Sequence, residues 1–291
     1  MDKNFGFINI YKPVGMTSHD VVGYLRRITK IRQIGHAGTL DPFAEGVLPV
    51  AIGKSTRLIE YLSDDKAYTG RFCFGKSTDT YDIEGKILKV FETKIQKEDV
   101  ADKLNLFKGN IEQIPPIYSA KKINGKKAYE LARSGLGTAD LSLKPCSIVI
   151  YDIKLLDFNY DEQWADIYIS CSKGTYIRSV ANDLGESLNN GCFLSKLKRV
   201  KSGLFEIDNS VLPDNIKTPD DVQKNLLNPV EYLPYSKIEL DKKEYDRVIH
   251  GMTIPDKTSS SGTVLLTFEN KLTAVACSEN NIIKVKKVFD V

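Results

Sequence analysis

Strand-like and helix-like segments are interleaved along this sequence, but without the regular strand-helix-strand repeat of a doubly wound parallel sheet. Two of the strand patterns, 147–158 and 164–171, are joined by a turn around Asp161. This order favours a mixed-sheet α/β or α+β domain. The strand patterns lie at residues 5–11, 47–53, 67–76, 147–158, 164–171 and 193–207, and the helical patterns at 17–30, 54–64, 97–107 and 174–188.

The sequence predicts a capped helix near its start and a small β-rich module in its last part. Thr17 and Asp20 form a capping-box pattern, with Asp in place of Glu, before a helix with an apolar face. Residues 208–235 are rich in Asn, Asp and Pro and read as a break. The remaining segment, 236–291, contains a short helix and several β-like runs, which predict a small β-barrel.

Composition limits the class of protein. The chain has 291 residues, 42% of them hydrophobic, and a net charge of +3, which permits a polyanionic partner without requiring one. The N-terminus lacks a signal-peptide pattern and no apolar run is long enough to span a bilayer. The five scattered cysteines form no CxxC pattern. We therefore expect reduced thiols in a cytoplasmic protein.

Asp41 is the lone central acid of the turn-rich stretch GHAGTLDPFAEGVLPVAIG. Asp before Pro is most often a turn-forming residue. The alternative is a carboxylate held in a rigid, partly apolar turn, where it can act as a nucleophile or a base. A single carboxylate without a partner acid suits a leaving group that needs little protonation, such as uracil.

Other candidates also have ordinary interpretations. His36 can be a loop residue and Tyr68 a core tyrosine, although a ring such as that of Tyr68 can stack on a flipped base. Arg178 follows a strand-to-helix junction and can be a surface residue or the partner of a buried carboxylate. Lys173 lies where a helix N-terminus favours anions.

Positive charge is concentrated in four segments. A single basic segment is usually a solvent-exposed face, but four such segments together indicate a groove that binds RNA. The segments are RRITKIR (26–32), KKINGKK (121–127), KLKRVK (196–201) and KVKK (284–287).

Several motifs, in order, resemble the bacterial tRNA pseudouridine synthase B family, whose members convert uridine 55 of the tRNA T-loop to pseudouridine. The resemblance extends from about residue 5 to 207. The motifs are NIYKPVGMTSHDVV, GHAGTLDPFAEGVLPVAIGKSTR, AYTGRFCFGKSTDTYDIEG, IPPIYSAKKINGKKAYELAR, CSKGTYIRSVANDLG and FLSKLKRVKSGLF.

The resemblance implies a role for each matching residue. Asp41 matches the catalytic aspartate, Tyr68 the tyrosine that stacks on the flipped uracil, and Arg178 the arginine that pairs with the aspartate. His36 matches the histidine that helps to displace the target nucleotide. The remaining RNA-binding candidates are Tyr176, Leu197, Lys121, Lys122, Lys126, Lys127 and Lys173.

The resemblance also implies a fold and a set of partners. We expect an α+β pseudouridine synthase fold, with a mixed, mainly antiparallel sheet flanked by helices. The predicted catalytic domain is 1–230, with a thumb loop at about 115–145, and 236–291 resembles a PUA-like RNA-binding domain. The T-arm of tRNA is the expected partner. No cofactor, metal, membrane or obligate protein partner is expected.

Three alternatives remain open from the sequence. A base-excising glycosylase could use the same Asp41, and it would leave an abasic product. A non-enzymatic RNA-binding or RNA-folding protein would not need Asp41 at all. A synthase could also act on another uridine in a T-loop-like hairpin.

Overall fold

The computed structural model describes residues 5–116, 144–258 and 261–289, and the backbone of 122–123 and 126–127. By its internal contacts the chain divides into two compact units. The first contains residues 1–41, 47–63 and 203–291, and the second contains 42–46 and 64–202. This grouping does not test the predicted domain boundary near residue 230, which stays a prediction.

The first unit begins with a strand, a capped helix and a hairpin. These are β1 (Gly6–Lys12), α1 (Ser18–Thr29), β2 (Ile34–His36) and β3 (Glu45–Ile52). The capping box predicted at the start of α1 is confirmed, because Thr17 and Asp20 bond each other's backbone N–H groups. Val21, Val22 and Leu25 on its apolar face are buried against Ile8, Ile10 and Leu48.

The helix predicted at 54–64 is instead a 3-10 helix, Gly53–Tyr61. The hydroxyl of Thr56 donates to the carbonyl of Gly53 at 2.9 Å, three residues back. Such a side-chain bond competes with the α-helical backbone pattern, and Ile52 offers no side-chain cap.

The first unit continues through residues 203–289 with short elements and a second sheet. The predicted break at 208–235 holds two short α-helices, and the C-terminal β-like runs are strands, as predicted. The elements are β13 (Phe205–Glu206), 3-10 helices Ile207–Asn209 and Pro213–Asn215, α4 (Pro219–Lys224), α5 (Pro229–Tyr232), β14 (Ser236–Glu239), α6 (Lys242–Val248), β15 (Ile254–Pro255), β16 (Gly262–Phe268), β17 (Lys271–Glu279) and β18 (Ile282–Val288).

The C-terminal strands form a sheet in the order β14-β16-β17-β18-β15. The β14–β16 pair is parallel, and the other pairs are antiparallel. One face has its own apolar cluster, which includes Leu240, Val264 and Ile283. This compact β-rich module is consistent with the predicted PUA-like domain.

The second unit is built on a long antiparallel sheet in the order β12-β4-β11-β10-β7. A short parallel pairing joins β12 to the first residues of β3, Glu45 and Gly46. The prediction of a mixed, mainly antiparallel sheet with helices is confirmed. Its elements are β4 (Lys66–Phe74), β5 (Lys76–Thr78), β6 (Ile87–Val90), α2 (Lys97–Leu104), a 3-10 helix Asn105–Phe107, β7 (Gly109–Gln113), β8 (Lys122–Ile123), β9 (Lys126–Lys127), β10 (Cys146–Asn159), β11 (Trp164–Cys171), α3 (Ile177–Ser187) and β12 (Cys192–Ser202).

None of the described helices is long and apolar enough to cross a membrane. All five cysteines have free thiols, as predicted. Burial raises the pKa of the Cys171 thiol to about 11.

Within the first unit, Phe289 and Phe5 pack in one hydrophobic core. Phe289 is 1% exposed, and its ring lies 5.7 Å from that of Phe5. The guanidinium of Arg57 lies 5.1 Å from the centre of the Phe289 ring. Residues from both ends of the chain thus share one hydrophobic cluster with Leu58 and Val275.

We expect Phe289→Ala to lower the free energy of unfolding by about 3–5 kcal/mol, the usual cost of truncating a buried aromatic ring. Ile282→Ala is the control, because Ile282 begins β18 but is 44% exposed. Urea unfolding followed by fluorescence measures both. Equal small losses in the two variants would contradict a core that depends on Phe289.

Asp183 on α3 should make stability depend on pH. Burial, assisted by the nearby charge of Glu186, raises the pKa of its carboxyl to about 6. The carboxyl has a pKa of about 3.9 in an unfolded chain. Folding therefore favours the protonated form, and this stabilisation is fully present below about pH 4 and lost as the pH approaches 6.

Asp183→Asn has no charge to bury, so its urea midpoint should exceed that of the parent above pH 6 and approach it below about pH 4. Asp161→Asn is the control, since the Asp161 side chain is 94% exposed. A difference for Asp183→Asn that stays constant from pH 4 to pH 7 would contradict the raised pKa.

Candidate active site

In the first unit, the backbone next to Asp41 is fixed by the side chain of Ser18. The Leu40 N–H donates to Ser18 Oγ at 2.8 Å, and Ser18 Oγ is 3.2 Å from the Leu40 carbonyl, to which it donates. Ser18 and Leu40 are both buried, whereas Asp41 is half-buried. The start of α1 therefore holds the residue before the candidate catalytic acid.

His36 ends β2, and the turn that follows is tied to β3. Val50 is the β3 residue opposite His36, and the Ala37 N–H donates to the Pro49 carbonyl at 2.9 Å. Gly38 has a φ of 100°, a conformation that favours glycine. The glycine-rich sequence thus allows the chain to leave the hairpin and reach Leu40.

In the second unit, Tyr68 and Leu197 lie on one face of the sheet. Tyr68 is opposite Arg199, and Leu197 is opposite Gly70, across the β4–β12 pair. Because opposite residues share a face and faces alternate along a strand, all three side chains point to the same side. Tyr68 and Leu197 are each 7% exposed, which suits the wall of a pocket.

The sequence placed Arg199 in the basic segment KLKRVK and in the motif FLSKLKRVKSGLF, but gave it no role of its own. Arg199 is completely buried, on the same face as Tyr68. Its backbone lies so close to Gly46 that a Cβ at Gly46 would be 2.3 Å from the Arg199 carbonyl oxygen. Strand alternation in FLSKLKRVKSGLF was the signal for an inward-facing residue here.

The first turn of α3 carries both Tyr176 and Arg178. Tyr176 is the N-cap residue, and Arg178 is 6% exposed. Arg178 Nη1 donates to Asp82 Oδ2 at 3.1 Å and to the Thr80 carbonyl at 3.3 Å. The predicted pairing of Arg178 with Asp41 stays a prediction.

Asp82 is the residue that sequence reasoning did not assign, although it lies in the quoted motif STDTYDIEG. It is 3% exposed, in the loop between β5 and β6. Its Oδ1 accepts from the Thr80 hydroxyl at 2.6 Å and from the Glu84 N–H at 3.0 Å, while Oδ2 faces Arg178. In the sequence, the signal that could have identified Asp82 was the presence of polar residues at every second position of this turn.

The loop around Asp82 can fold this tightly because Gly85 has no side chain. A Cβ at Gly85 would lie 2.3 Å from Thr80 Oγ1 and 2.7 Å from Asp79 Oδ1. The Thr78 hydroxyl also donates to the Asp82 carbonyl at 3.0 Å. The sequence thus builds a closed polar turn whose carboxylate is aimed at α3.

The basic candidates differ in their surroundings. Lys173 Nζ donates to Asp64 Oδ2 at 2.6 Å, and this bond raises the pKa of the lysine. Lys198 forms an ion pair with Glu45 at 3.0 Å, which gives Glu45 a partner that the sequence did not reveal. Lys121 and the side chains of Lys122, Lys126 and Lys127 lie outside the described residues, and their roles stay predictions.

Two solved structures share this fold. One is an H/ACA RNP bound to a substrate RNA containing 2'-deoxyuridine, with a TM-score of 0.73 at 22% identity over 99% of this chain and 86% of that chain. The other is a Cbf5-Nop10-Gar1 complex, with a TM-score of 0.73 at 23% identity over 98% and 85%. The chain therefore has the pseudouridine synthase fold, and the fold prediction is confirmed.

Residues 26–177 match the model of the TruB family pseudouridylate synthase N-terminal domain. Proteins named tRNA pseudouridine synthase B are 42% identical in Clostridium novyi (strain NT), over 87% of this chain and 86% of the relative, and 38% identical in Thermosipho melanesiensis (strain DSM 12029 / CIP 104789 / BI429), over 98% of each. The chain belongs to the TruB family of pseudouridylate synthases. It is an isomerase, as the sequence resemblance implies.

We expect Asp82→Asn to lower both stability and turnover, because the amide cannot neutralise the buried Arg178 guanidinium. Breaking one side of a buried ion pair costs about 3–5 kcal/mol, and we expect the rate of pseudouridine formation at saturating RNA to fall at least about tenfold. Urea unfolding and a single-turnover assay measure the two effects.

Asp64→Asn is the matched control, since the Asp64 side chain is 55% exposed and its pair with Lys173 is a surface ion pair. Asp82→Asn would contradict the assignment if it behaved like this control in both measurements.

Proposed function

We propose that this enzyme converts uridine 55 in the T-loop of tRNA to pseudouridine. The supporting observation is the match to relatives named tRNA pseudouridine synthase B over most of the chain, together with a fixed loop at Asp41. The T-arm stem-loop is the proposed partner. The uridine leaves the base stack before reaction, since its reacting atoms are inaccessible within stacked bases.

The proposed chemistry begins at Asp41. Its carboxylate attacks the extruded nucleotide at the sugar carbon or the base, and the N1–C1′ bond breaks with its electron pair passing to uracil N1. The uracil turns within the pocket, C5 forms a bond to C1′, and the bond to Asp41 breaks. The proton on C5 then leaves, and N1 gains a proton. The substrate and product have the same atoms, so the reaction needs no oxidant, reductant or energy source.

The other side chains bind and orient the reactants in this proposal. Tyr68 stacks on the flipped uracil, and Tyr176 and Leu197 line its pocket. Tyr68 and Leu197 are each 7% exposed, and such walls exclude water, which would otherwise intercept the sugar and release the base. Arg178 pairs with Asp41 to keep the carboxylate ionised, and His36 helps to displace the nucleotide.

The proposed lysines bind phosphates and carry no chemistry. Lys121, Lys122, Lys126 and Lys127 fill this role in the segment that resembles the thumb loop. Lys173 does so only in competition with Asp64, since the two form an ion pair. The contribution of Lys173 to tRNA binding should therefore be smaller than that of an uncompensated lysine.

The decisive experiment uses an unmodified tRNA transcript and maps pseudouridine with nucleotide resolution. We expect conversion at uridine 55, and no conversion in a transcript with cytidine at that position. Pseudouridine at a different position would show that the target nucleotide is not uridine 55. An abasic site would indicate a glycosylase, and unaltered RNA would reject the proposal.

We predict that Asp41→Asn binds tRNA like the parent but forms no measurable pseudouridine. The amide keeps the size of the side chain and cannot act as a nucleophile or a base, and losing such a group typically costs more than about 10³ in rate. Single-turnover assays and filter binding measure the two properties.

Glu45→Gln is the control, because Glu45 lies four residues further along the same stretch, in a partly exposed ion pair with Lys198. We expect it to retain nearly full activity. Activity of Asp41→Asn above about 0.1% of the parent rate would remove Asp41 from the chemistry.

A further inference from the structure

One buried side chain satisfies both backbone groups of Tyr176. Gln113, at the end of β7, is 1% exposed. Its Oε1 accepts from the Tyr176 N–H at 2.8 Å, and its Nε2 donates to the Tyr176 carbonyl at 3.1 Å. The amide of Gln113 therefore pairs with Tyr176 as the backbone of a neighbouring strand would.

Tyr176 needs this support because its own surroundings leave it weakly fixed. It is the N-cap of α3 with φ −98° and ψ 106°, and its side chain makes no capping bond. The preceding turn includes Gly174 at a φ of 79°. An extended residue between a glycine turn and a helix has neither the helix nor a strand to bond its N–H group, and Gln113 supplies the missing acceptor.

A third bond joins the same two segments, this time from a side chain on α3. The hydroxyl of Ser179, which is 1% exposed on α3, donates to the Ile114 carbonyl at 3.0 Å. Three hydrogen bonds thus join residues 113–114 to the first turn of α3 at two points. Arg178 lies between those points, so the direction of its side chain depends on both.

The chemistry of the amide explains why glutamine serves here. Pairing with an N–H and a carbonyl of the same residue requires one acceptor and one donor on a planar group. A carboxylate provides only acceptors and would repel the Tyr176 carbonyl. An apolar side chain of the same length would leave the Tyr176 N–H without its acceptor, while the Tyr176 carbonyl would keep only the bond from the Val180 N–H.

We propose that Gln113 is a positioning residue for pseudouridine formation: it fixes the first turn of α3, and through it the aim of Tyr176 and Arg178. This inference rests on the function proposed above for those two residues. Gln113 itself touches no reacting atom. Displacing catalytic groups by about 1 Å can lower the rate about a hundredfold. Loss of the Gln113 hydrogen bonds should therefore lower the rate of the chemical step.

The test compares Gln113→Met with Glu112→Gln. Met keeps the length and burial but makes neither bond, while Glu112 is the exposed neighbour on the same strand. We expect the single-turnover rate constant at saturating unmodified tRNA to fall about tenfold or more in Gln113→Met, measured well below its melting temperature. The Kd for tRNA should stay within about threefold of the parent, since positioning affects the chemical step more than binding.

Ser179→Ala is the second variant, and it tests the proposed positioning role if Gln113→Met does not fold. It removes only one of the three bonds, so a smaller loss in the same rate constant is expected, again with nearly unchanged Kd. A folded variant that reacts at the parental rate, or one whose loss disappears at saturating tRNA, would overturn the proposal. Activity of the parent on the same tRNA tests the proposed function separately, before any variant is compared.

Discussion

The buried contact between Arg178 and Asp82 is the interaction on which the geometry of the candidate site most depends. Both side chains are almost completely buried. Removing two charges from water is costly, so such a pair persists only when further hydrogen bonds satisfy both partners. The closed turn around Thr80 and Glu84 provides them for Asp82. The loop and the helix are therefore stable only in this mutual arrangement.

The same principle recurs at other points near the candidate residues. Ser18 bonds the backbone of Leu40 in the first unit, and Gln113 bonds the backbone of Tyr176 in the second. In each case a buried polar side chain on a regular element holds an irregular residue close to a candidate catalytic one. Sites need such supporting contacts, because side chains on loops are otherwise located imprecisely.

The sequence predicted the parts of this protein that depend on local pattern. The capping box of Thr17 and Asp20, the apolar face of α1 and the C-terminal strands all follow from spacing alone. The motifs also led to the family and the fold. Local pattern failed at the 3-10 helix Gly53–Tyr61, where the bond between Thr56 and Gly53 favours a tighter helix.

Other features could not be found because they depend on contacts between distant residues. Asp82 and Arg178 are 96 residues apart, and nothing in either motif names its partner. Gln113 reaches Tyr176 over 63 residues in the same way. Arg199 had a local signal in strand alternation, but the surrounding lysines made the whole segment look like a solvated face. Charge counts along a sequence do not separate an inward-facing arginine from its exposed neighbours.

The contact with Asp82 also limits how Arg178 can act on a second carboxylate. Asp82 and the Thr80 carbonyl are both bonded by Nη1, on one edge of the guanidinium. The planar fork carries further N–H donors on Nε and Nη2, which point in other directions. The proposed mechanism uses the same side chain, since a planar guanidinium has separately directed N–H groups and can pair with more than one carboxylate. Lysine could not replace it, because a compact ammonium group lacks two separately directed edges. The role proposed for Arg178 thus depends on the shape of its side chain as much as on its charge.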